Sequence, residues 1–147
     1  MSKIYWQLFY HFVWKTKNRL PLISEEVGET VLRCIRRKCD DLACTIYAIE
    51  TVSDHVHMLV SVPPSISLSD FIMNVKGASS HLVNHSLELE SPFSWQRGCG
   101  VLTISGREKP RVIEYIQSQQ RRHESGELWA SLECTESDGP VPEERRG

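Results

Sequence analysis

Long apolar runs are absent from this sequence. No apolar stretch approaches the ~20 residues that span a bilayer, and residues 1–13 mix polar and aromatic side chains instead of forming a basic segment followed by a plain apolar one. We therefore expect neither a membrane span nor a secretory signal. The five cysteines are odd in number, scattered and without CxxC spacing, so reduced thiols in a cytoplasm are expected in place of a disulfide framework or a structural zinc site.

A strong positive charge is missing as well, because the formal net charge is −2. The charge is nevertheless uneven along the chain. Residues 1–123 hold 15 lysines and arginines against 12 acids, whereas residues 124–147 hold 2 against 7. Within the first part, short positive runs such as KTKNR (15–19) and REKPR (107–111) could line a groove for a polyanion. From charge alone, the solvated ends of helices and strands are the favoured interpretation.

What the sequence does contain is an alternation of strand-like and helix-like segments. Aromatic and β-branched runs predict strands, and serines that precede apolar residues at helical spacing predict helix starts. The predicted elements are strand 4–14, a helix of about four turns from Ser24, strands 43–52 and 55–62, helix 67–86, strand 93–105 and helix 110–123. This order predicts an α+β fold, a ferredoxin-like split βαβ sandwich with a four-stranded antiparallel sheet, helices packed on one face and an extra C-terminal helix.

These patterns predict one domain followed by a tail. Residues 1–124 are expected to form one globular domain with a single core. Residues 125–147 lose apolar periodicity and are expected to form an acidic, loosely ordered tail, from which Leu128, Trp129 and Leu132 could dock back onto the domain.

Two histidines, His55 and His57, open an otherwise apolar strand, HVHMLVSV. Successive side chains of a strand point to opposite faces, so both rings project from one face while Val56 and Met58 project from the other. Two imidazoles that lie so close can share a divalent cation. The His-apolar-His triplet is also common by chance, so packing remains the alternative at this point.

The last predicted helix, RVIEYIQSQQ, supplies two further candidates. Tyr115 and Gln119 are four residues apart, which places a phenol and an amide on one helix face. Taken alone, each is more often structural: a tyrosine with its ring in the core and a glutamine on a helix surface. A site that combines them with the two imidazoles would suit Mg²⁺ or Mn²⁺ more than structural zinc.

Four blocks of the sequence resemble the small single-tyrosine HUH transposases, the TnpA-like proteins that include the group associated with repetitive extragenic palindromes (REP). The blocks are YHFVWKTKNR, DHVHMLVSVPPSISLSDFIMNVKGASSHLVN, WQRGCGVLTIS and VIEYIQSQQ. The similarity covers about residues 4–123, and the ordered set of blocks is far more specific than any one triplet. One departure is local, because Cys99 stands between the glycines of the fourth strand, where relatives often carry an aromatic residue. A base-stacking role there is therefore in doubt.

The resemblance implies a role for each candidate residue. It makes His55 and His57 the metal ligands, Gln119 a third ligand and Tyr115 the nucleophile, with Mg²⁺ or Mn²⁺ as the cofactor. It implies a cytoplasmic, nucleoid-associated enzyme that cleaves and rejoins single-stranded DNA next to hairpins through a covalent 5′-phosphotyrosine. Many family members are homodimers in which one subunit's tyrosine completes the other's histidine site. The basic positions expected near DNA are Lys15, Lys17, Arg19, Lys76 and Arg97.

Other functions stay open from the sequence alone. The segment RGCGVLTI overlays an RNA-recognition signature at its glycines, but its aromatic positions hold Cys99, Val101 and Ile104. A non-catalytic single-stranded nucleic-acid binding module of the same fold is the main alternative. A hydrolase in which water attacks in place of Tyr115, and a domesticated nuclease that processes REP sequences, are the others.

Overall fold

The computed structural model describes residues 3–135. Its strands are β1 (Phe9–Lys15), β2 (Thr45–Val52), β3 (His55–Ser61) and β4 (Gly100–Ile104). Its helices are α1 (Glu25–Asp41), α2 (Leu68–Ser86), α3 (Lys109–Gln117), α4 (Gln119–Ser125) and α5 (Ala130–Glu133), and one turn of 3-10 helix spans Lys17–Arg19.

The four strands form one antiparallel sheet in the order β2-β3-β1-β4. A two-residue turn, Ser53 and Asp54, joins β2 to β3 as a hairpin, and β1 then enters between β3 and β4. This strand order is that of the split βαβ fold, so the predicted architecture is confirmed. All seven residues of β3 are buried, because the strand is central and covered on both faces.

Helices α1 and α2 cover one face of the sheet. Each begins at a capping serine: Ser24 accepts a hydrogen bond from the backbone N–H of Val27, and Ser67 accepts one from that of Asp70. Their apolar sides meet the even-numbered residues of β1 and β3. The buried residues of this core include Phe12, Trp14, Val27, Val31, Ile35, Val56, Met58, Val60, Phe71, Val75 and Val83.

Helix α3 lies on the opposite face of the sheet, with α4 and α5 beside it. Val112 and Ile116 of α3 pack against Ala48 and Leu59, which makes a smaller apolar cluster. The rest of this face carries buried polar side chains. Helices therefore lie on both faces: α1 and α2 cover one face, as predicted, and the predicted extra C-terminal helix, whose face the sequence did not indicate, lies with its neighbours on the other.

The predicted elements and the structure differ most toward the C-terminus. Strand β4 begins at Gly100 and not near residue 93, since Trp95 forms only an isolated bridge with Thr16. The predicted last helix is divided at Ser118 into α3 and α4. The hydroxyl of Ser118 donates to the backbone oxygen of Glu114 and accepts a hydrogen bond from Arg122, and such side-chain bonds compete with the regular helix ladder.

The first part of the predicted tail packs against the domain. Gly126 adopts a left-handed conformation with φ 79° and ends α4, after which the chain returns to form α5. Leu132 of α5 is buried. Residues 136–147 lie outside the described residues, so the boundary at residue 124 stays a prediction. Within residues 3–135, no helix combines the length and apolar character needed to cross a membrane.

Candidate active site

The paired histidines lie on the face of the sheet that α3, α4 and α5 cover. Both are buried, with exposed fractions of 1% for His55 and 0% for His57. In the antiparallel register His57 stands opposite Val13 of β1 and His55 stands opposite Lys15. Both rings therefore project from one face of the strand into one site at the sheet centre, as the i, i+2 spacing predicted.

Each ring is held through its Nδ1 atom. The Nδ1 of His55 lies 2.6 Å from Oδ1 of Asp54, and the Nδ1 of His57 lies 2.9 Å from Nε2 of His11 on β1. Burial, followed by the neighbouring His57, lowers the pKa of His11 to about 3, so His11 is neutral and can accept a hydrogen bond. With Nδ1 turned toward these partners, the Nε2 atoms of His55 and His57 are directed into the site, where Nε2 can donate to a carboxylate when protonated or bind a metal ion when not.

Two further side chains reach the Nε2 atoms of this pair. The Nε2 of His123, from α4, lies 3.1 Å from Nε2 of His55. The Oε1 atom of Glu133, from α5, lies 3.3 Å from Nε2 of His57 and 3.5 Å from Nε2 of both His55 and His123. Burial alone raises the pKa of Glu133, but the hydrogen bond from His57 and the charge of that ring outweigh it and lower the pKa to about 2.

This cluster fits a single divalent cation. The donor atoms of His55, His57, His123 and Glu133 all lie within 4.8 Å of one another. Donors arranged tetrahedrally around one ion at ~2.1 Å lie about 3.4 Å apart. Glu133 lies 3.2 to 3.5 Å from the three histidine Nε2 atoms, and those of His55 and His123 are 3.1 Å apart. The Asp54 carboxylate behind His55 supplies the outer hydrogen bond that metal-bound histidines usually have.

Tyr115 of α3 closes the site from the helix side. Its ring lies edge-on to His57 with centroids 5.9 Å apart, and its hydroxyl donates to Oε2 of Glu133. The same hydroxyl accepts a hydrogen bond of 3.0 Å from the backbone N–H of Trp129. Burial and the hydrogen bond to Glu133 raise the pKa of Tyr115 to about 12, so the phenol is neutral in this arrangement.

Gln119, the first residue of α4, is also fully buried. Its Oε1 lies 3.0 Å from Nε2 of His123, and its Nε2 donates to the backbone oxygen of Tyr115 at 3.1 Å. Gln119 thus reaches the cluster through His123, which extends the same helical face by one more turn. Its role as a metal ligand stays a prediction.

Three of the basic residues predicted near DNA are exposed. Lys17 and Arg19 lie on the 3-10 turn that follows β1, and Arg97 lies in the loop before β4. Arg19 approaches Asp54, with 3.8 Å between its Nε and Oδ2 of the carboxylate. Arg19 therefore places a positive charge near the Asp54 carboxylate that holds His55.

The other two basic residues are more enclosed. Lys15 is buried on β1 in register with His55. The ammonium group of Lys76 donates to the backbone oxygens of Gln96 at 2.7 Å and Gly98 at 2.8 Å. Lys76 therefore fixes the loop before β4, and DNA contacts for both lysines stay predictions.

Sequence reasoning missed four residues of this site: His11, Asp54, His123 and Glu133. Three of them had a signal that could have been used. Asp54 directly precedes the histidine pair, His11 shares a strand face with Lys15, and His123 follows Gln119 by four residues. Glu133 had none, because only the return of the chain after Gly126 brings it to the site.

Fold and site together define a class of protein, an α+β domain in which two strand histidines at the centre of an antiparallel sheet face a tyrosine on a later helix. The family described as "Transposase IS200 like" matches residues 4–119. Since this match covers most of the sequence, the chain belongs to the family of IS200-like transposases. The resemblance inferred from the sequence blocks is confirmed, and the chain is a transposase that binds DNA and takes part in DNA transposition.

Individual relatives agree with this assignment. The transposase for insertion sequence element IS200 of Salmonella typhimurium is 30% identical over 127 residues, which cover 83% of each chain. The ISDra2 transposase TnpA of Deinococcus radiodurans is 29% identical over 119 residues, which cover 78% of this chain and 85% of that protein. Glu133 and His123 lie beyond residue 119, where the family match ends.

Solved structures share the fold. A putative transposase from Deinococcus radiodurans R1 superposes with a TM-score of 0.65 at 26% identity, over 81% of this chain and 96% of its own. A REP-associated tyrosine transposase bound to a REP hairpin gives a TM-score of 0.62 at 17% identity, over 84% of this chain and 74% of its own. At that identity the second likeness concerns the fold alone.

Proposed function

We propose that this transposase is a metal-dependent endonuclease and strand transferase for single-stranded DNA, with Tyr115 as its nucleophile. One observation carries the proposal. The carboxylate of Glu133 contacts both the nucleophile and the histidine cluster: its Oε2 accepts the hydrogen bond from Tyr115 and lies 3.2 Å from Nε2 of His57, and its Oε1 lies 3.3 to 3.5 Å from the Nε2 atoms of His57, His55 and His123. Nucleophile and metal site are thus separated by the width of one carboxylate, which is close to the width of a phosphate group.

His55, His57 and His123 are the proposed metal ligands of the chain. Three imidazole nitrogens favour Mn²⁺ over Mg²⁺, since Mg²⁺ strongly prefers oxygen donors and retains its water. A bound ion would polarise a phosphodiester and stabilise the negative charge that develops on it. Gln119 would hold the Tyr115 backbone through its amide nitrogen. Its Oε1, which lies 3.0 Å from Nε2 of His123, would be available as the further ligand that the family resemblance implies.

The proposed reaction is a reversible transfer to tyrosine. The phenolic oxygen of Tyr115 attacks phosphorus, the bond from phosphorus to the 3′ oxygen breaks, and a 5′-phosphotyrosine forms. The phenolic proton passes to solvent and the departing 3′ oxygen takes one up, so protons balance. Attack by a 3′-hydroxyl on the phosphotyrosine releases Tyr115 and rejoins the DNA.

The proposed substrate is a single strand next to a DNA hairpin. This class is implied by the family resemblance and by the hairpin bound to the structurally similar REP-associated transposase. The exposed positive residues Lys17, Arg19 and Arg97 are the ones best placed to contact its phosphates. We also propose that each site is completed within one chain, because Tyr115 contacts the histidine site of its own chain.

Covalent capture of DNA tests the proposal. The protein is incubated with a hairpin-bearing single strand and Mn²⁺, and a protein–DNA adduct that resists boiling in detergent is the expected product. Tyr115→Phe should abolish the adduct, whereas Tyr47→Phe, a matched change at a half-buried tyrosine of β2, should retain it. The adduct should also disappear with a chelator and return on addition of Mn²⁺.

Other outcomes would identify other functions. Strand cleavage that survives in Tyr115→Phe would indicate a hydrolase that uses water. Tight binding of single strands without breakage under any metal would indicate a binding module. An adduct restored by mixing His57→Ala with Tyr115→Phe protein would show sites shared between subunits, with a homodimer as the active form.

A further inference from the structure

A second pair of histidines lies away from the candidate active site. His81 and His85 are exposed residues of α2, which covers the sheet face opposite to the one that holds His55 and His57. The four-residue spacing places both imidazoles on one side of the helix, one turn apart. Any ion that they bound would be separated from the candidate active site by the sheet itself.

The two rings of this pair already contact each other. Their centroids lie 3.9 Å apart, with 28° between the ring planes. The Nδ1 of His85 donates to the backbone oxygen of His81 at 2.9 Å. Because a carbonyl oxygen only accepts hydrogen bonds, Nδ1 of His85 carries the proton, and the neutral ring then has its lone pair on Nε2, which can bind a metal. The same hydrogen bond supplies the outer support that metal-bound histidines usually have.

The helix backbone beneath the pair is held in place by the rest of the domain. Asn84, between the two histidines, exchanges hydrogen bonds of 2.8 and 2.7 Å with the backbone of Phe93. Val83 is fully buried in the core, and Ser79 accepts a hydrogen bond of 3.0 Å from the indole of Trp95. These contacts fix the spacing of the two histidine backbones, so little order has to be gained when an ion binds.

Space for an ion and its waters lies beside the pair. Helical side chains lean toward the N-terminus, so the ring of His81 extends over the turn that contains Gly77. A Cβ atom added to Gly77 would meet nothing within 4 Å, and this turn therefore leaves open solvent next to His81. His85 belongs to the last turn of α2, where the helix dipole favours a bound cation.

We propose that His81 and His85 form a second metal site of this protein, a two-imidazole chelate on the outer side of α2. Imidazole nitrogens bind the later divalent ions of the first transition series, Ni²⁺, Cu²⁺ and Zn²⁺, more tightly than Mn²⁺, and they bind Mg²⁺ weakly. Two histidines four residues apart on one helix are also the arrangement that helical zinc motifs use. Water takes the remaining coordination positions. This second site does not depend on the proposed function, because its residues lie on the other side of the sheet.

Retention on an immobilised metal tests the site in the whole, untagged chain. Ni²⁺ held on an iminodiacetate resin can reach exposed histidines, whereas His55 and His57 are buried. The wild type should be retained and should elute at a higher imidazole concentration than His81→Gln or His85→Gln. The control His123→Gln, at a half-buried histidine of α4, should elute with the wild type. Elution of His81→Gln together with the wild type would overturn the proposal.

A rearranged pair tests the geometry separately from the number of histidines. His85→Gln combined with Ser86→His keeps two exposed histidines but places them five residues apart, on different sides of the helix. This protein should elute with His85→Gln. Elution with the wild type would show that retention needs no chelate, which also contradicts the proposal. All these changes on α2 affect exposed side chains only, and unchanged urea unfolding in the presence of chelator confirms that each variant is folded.

Calorimetric titration with Ni²⁺ separates the two sites in solution. If the candidate active site also binds Ni²⁺, the wild type should take up about two equivalents, and the double variant with His81→Gln and His85→Gln should take up about one. If the candidate active site binds none, only the wild type should bind Ni²⁺. A difference of one equivalent supports the second site in either case, and equal uptake by the two proteins rules it out. Mn²⁺-dependent adduct formation should be the same in both proteins, and its absence from both would count against the proposed function alone.

Discussion

The two faces of the sheet carry the same strands but different chemistry. Under α1 and α2, the side chains of β1 and β3 are apolar and pack into the larger core. Under α3, α4 and α5, the alternate side chains of the same two strands include His11, His55 and His57, all buried. One face stabilises the domain and the other holds the site. Because successive side chains of a strand point to opposite faces, one run such as residues 55–60 of β3 can serve both purposes.

The helices that cover the two faces also differ in length. The α1–α2 layer is built from helices of 17 and 19 residues, each capped by a serine. The opposite layer is built from three shorter helices of nine, seven and four residues. The long helices bury the larger apolar core, whereas the short helices cover the polar face that holds the candidate site.

The largest effect is expected from a substitution on the sheet face that holds the site. His57→Ala should lower the rate of metal-dependent adduct formation roughly ten-thousandfold, or ~5.5 kcal/mol, because a proposed metal ligand and the ring facing Tyr115 are both lost. The neighbouring change Met58→Ala, on the other face, is the matched control. It should lower stability to urea but leave the adduct rate per folded molecule within severalfold.

The next largest effect is expected from a substitution in the core under α1 and α2. Phe71 of α2 is fully buried and its ring lies 5.3 Å from that of Phe12. Phe71→Ala should lower the free energy of unfolding by about 3–5 kcal/mol, through lost burial and the cavity that remains. Calorimetric Mn²⁺ affinity of the folded protein should change little. A large loss of Mn²⁺ affinity would show that the two faces are not separable in this way.

A smaller effect concerns the residue that supports His57 from β1. His11→Ala removes the acceptor of the His57 Nδ1–H bond and should weaken Mn²⁺ binding by about 10- to 100-fold, as loss of an outer hydrogen bond to a metal-bound histidine does. His11→Gln restores an acceptor and should recover part of the affinity. Unchanged Mn²⁺ affinity in His11→Ala would mean that His57 is oriented by the sheet alone.

The pH dependence of stability follows from the same buried ring. The folded-state pKa of His11 is about 3 against an ordinary value of 6.5, so over this range the unfolded chain binds a proton that the folded chain does not. Stability therefore falls as pH falls below 6.5, by ~2 kcal/mol at pH 5 from His11. Urea unfolding with chelator at pH 7 and pH 5 should show a smaller loss for His11→Gln, whereas His85→Gln, at an exposed histidine, should behave as the wild type.

The smallest effect distinguishes two lysines that the sequence placed together as DNA contacts. Lys76→Met removes the donor to two loop carbonyls and should lower stability by about 1–2 kcal/mol. Lys17→Met, on the exposed turn, should leave stability within ~0.5 kcal/mol while weakening DNA binding and reducing its salt dependence. The opposite pattern would indicate that Lys76 contacts DNA.

The sequence predicted the fold well because its signals are local. Serine caps, alternating strands and the order of elements indicated α1, α2 and the hairpin of β2 and β3, which the structure confirms. The division at Ser118 was not predicted, since a serine hydroxyl that competes with the helix ladder looks no different from any other serine in sequence. The late start of β4 was missed for a similar reason, because aromatic residues at 93 and 95 resemble a strand.

The site was predictable only where its residues lie on one element. His55 with His57, and Tyr115 with Gln119, are each joined by the geometry of a strand or a helix. His11 comes to His57 through the pairing of β1 with β3, and Glu133 arrives from beyond a left-handed glycine. No spacing rule connects residues brought together by tertiary packing.

The two-residue turn between β2 and β3 has an evolutionary consequence. If one residue were added there and the turn kept its length and position, β3 would shift by one position along β1 and its two sets of side chains would exchange faces. The histidines would then enter the apolar core, and the methionine and valines would enter the candidate metal site. Stability and catalysis would be lost in one event, so we expect descendants of this gene to tolerate substitutions in that turn far better than changes in its length.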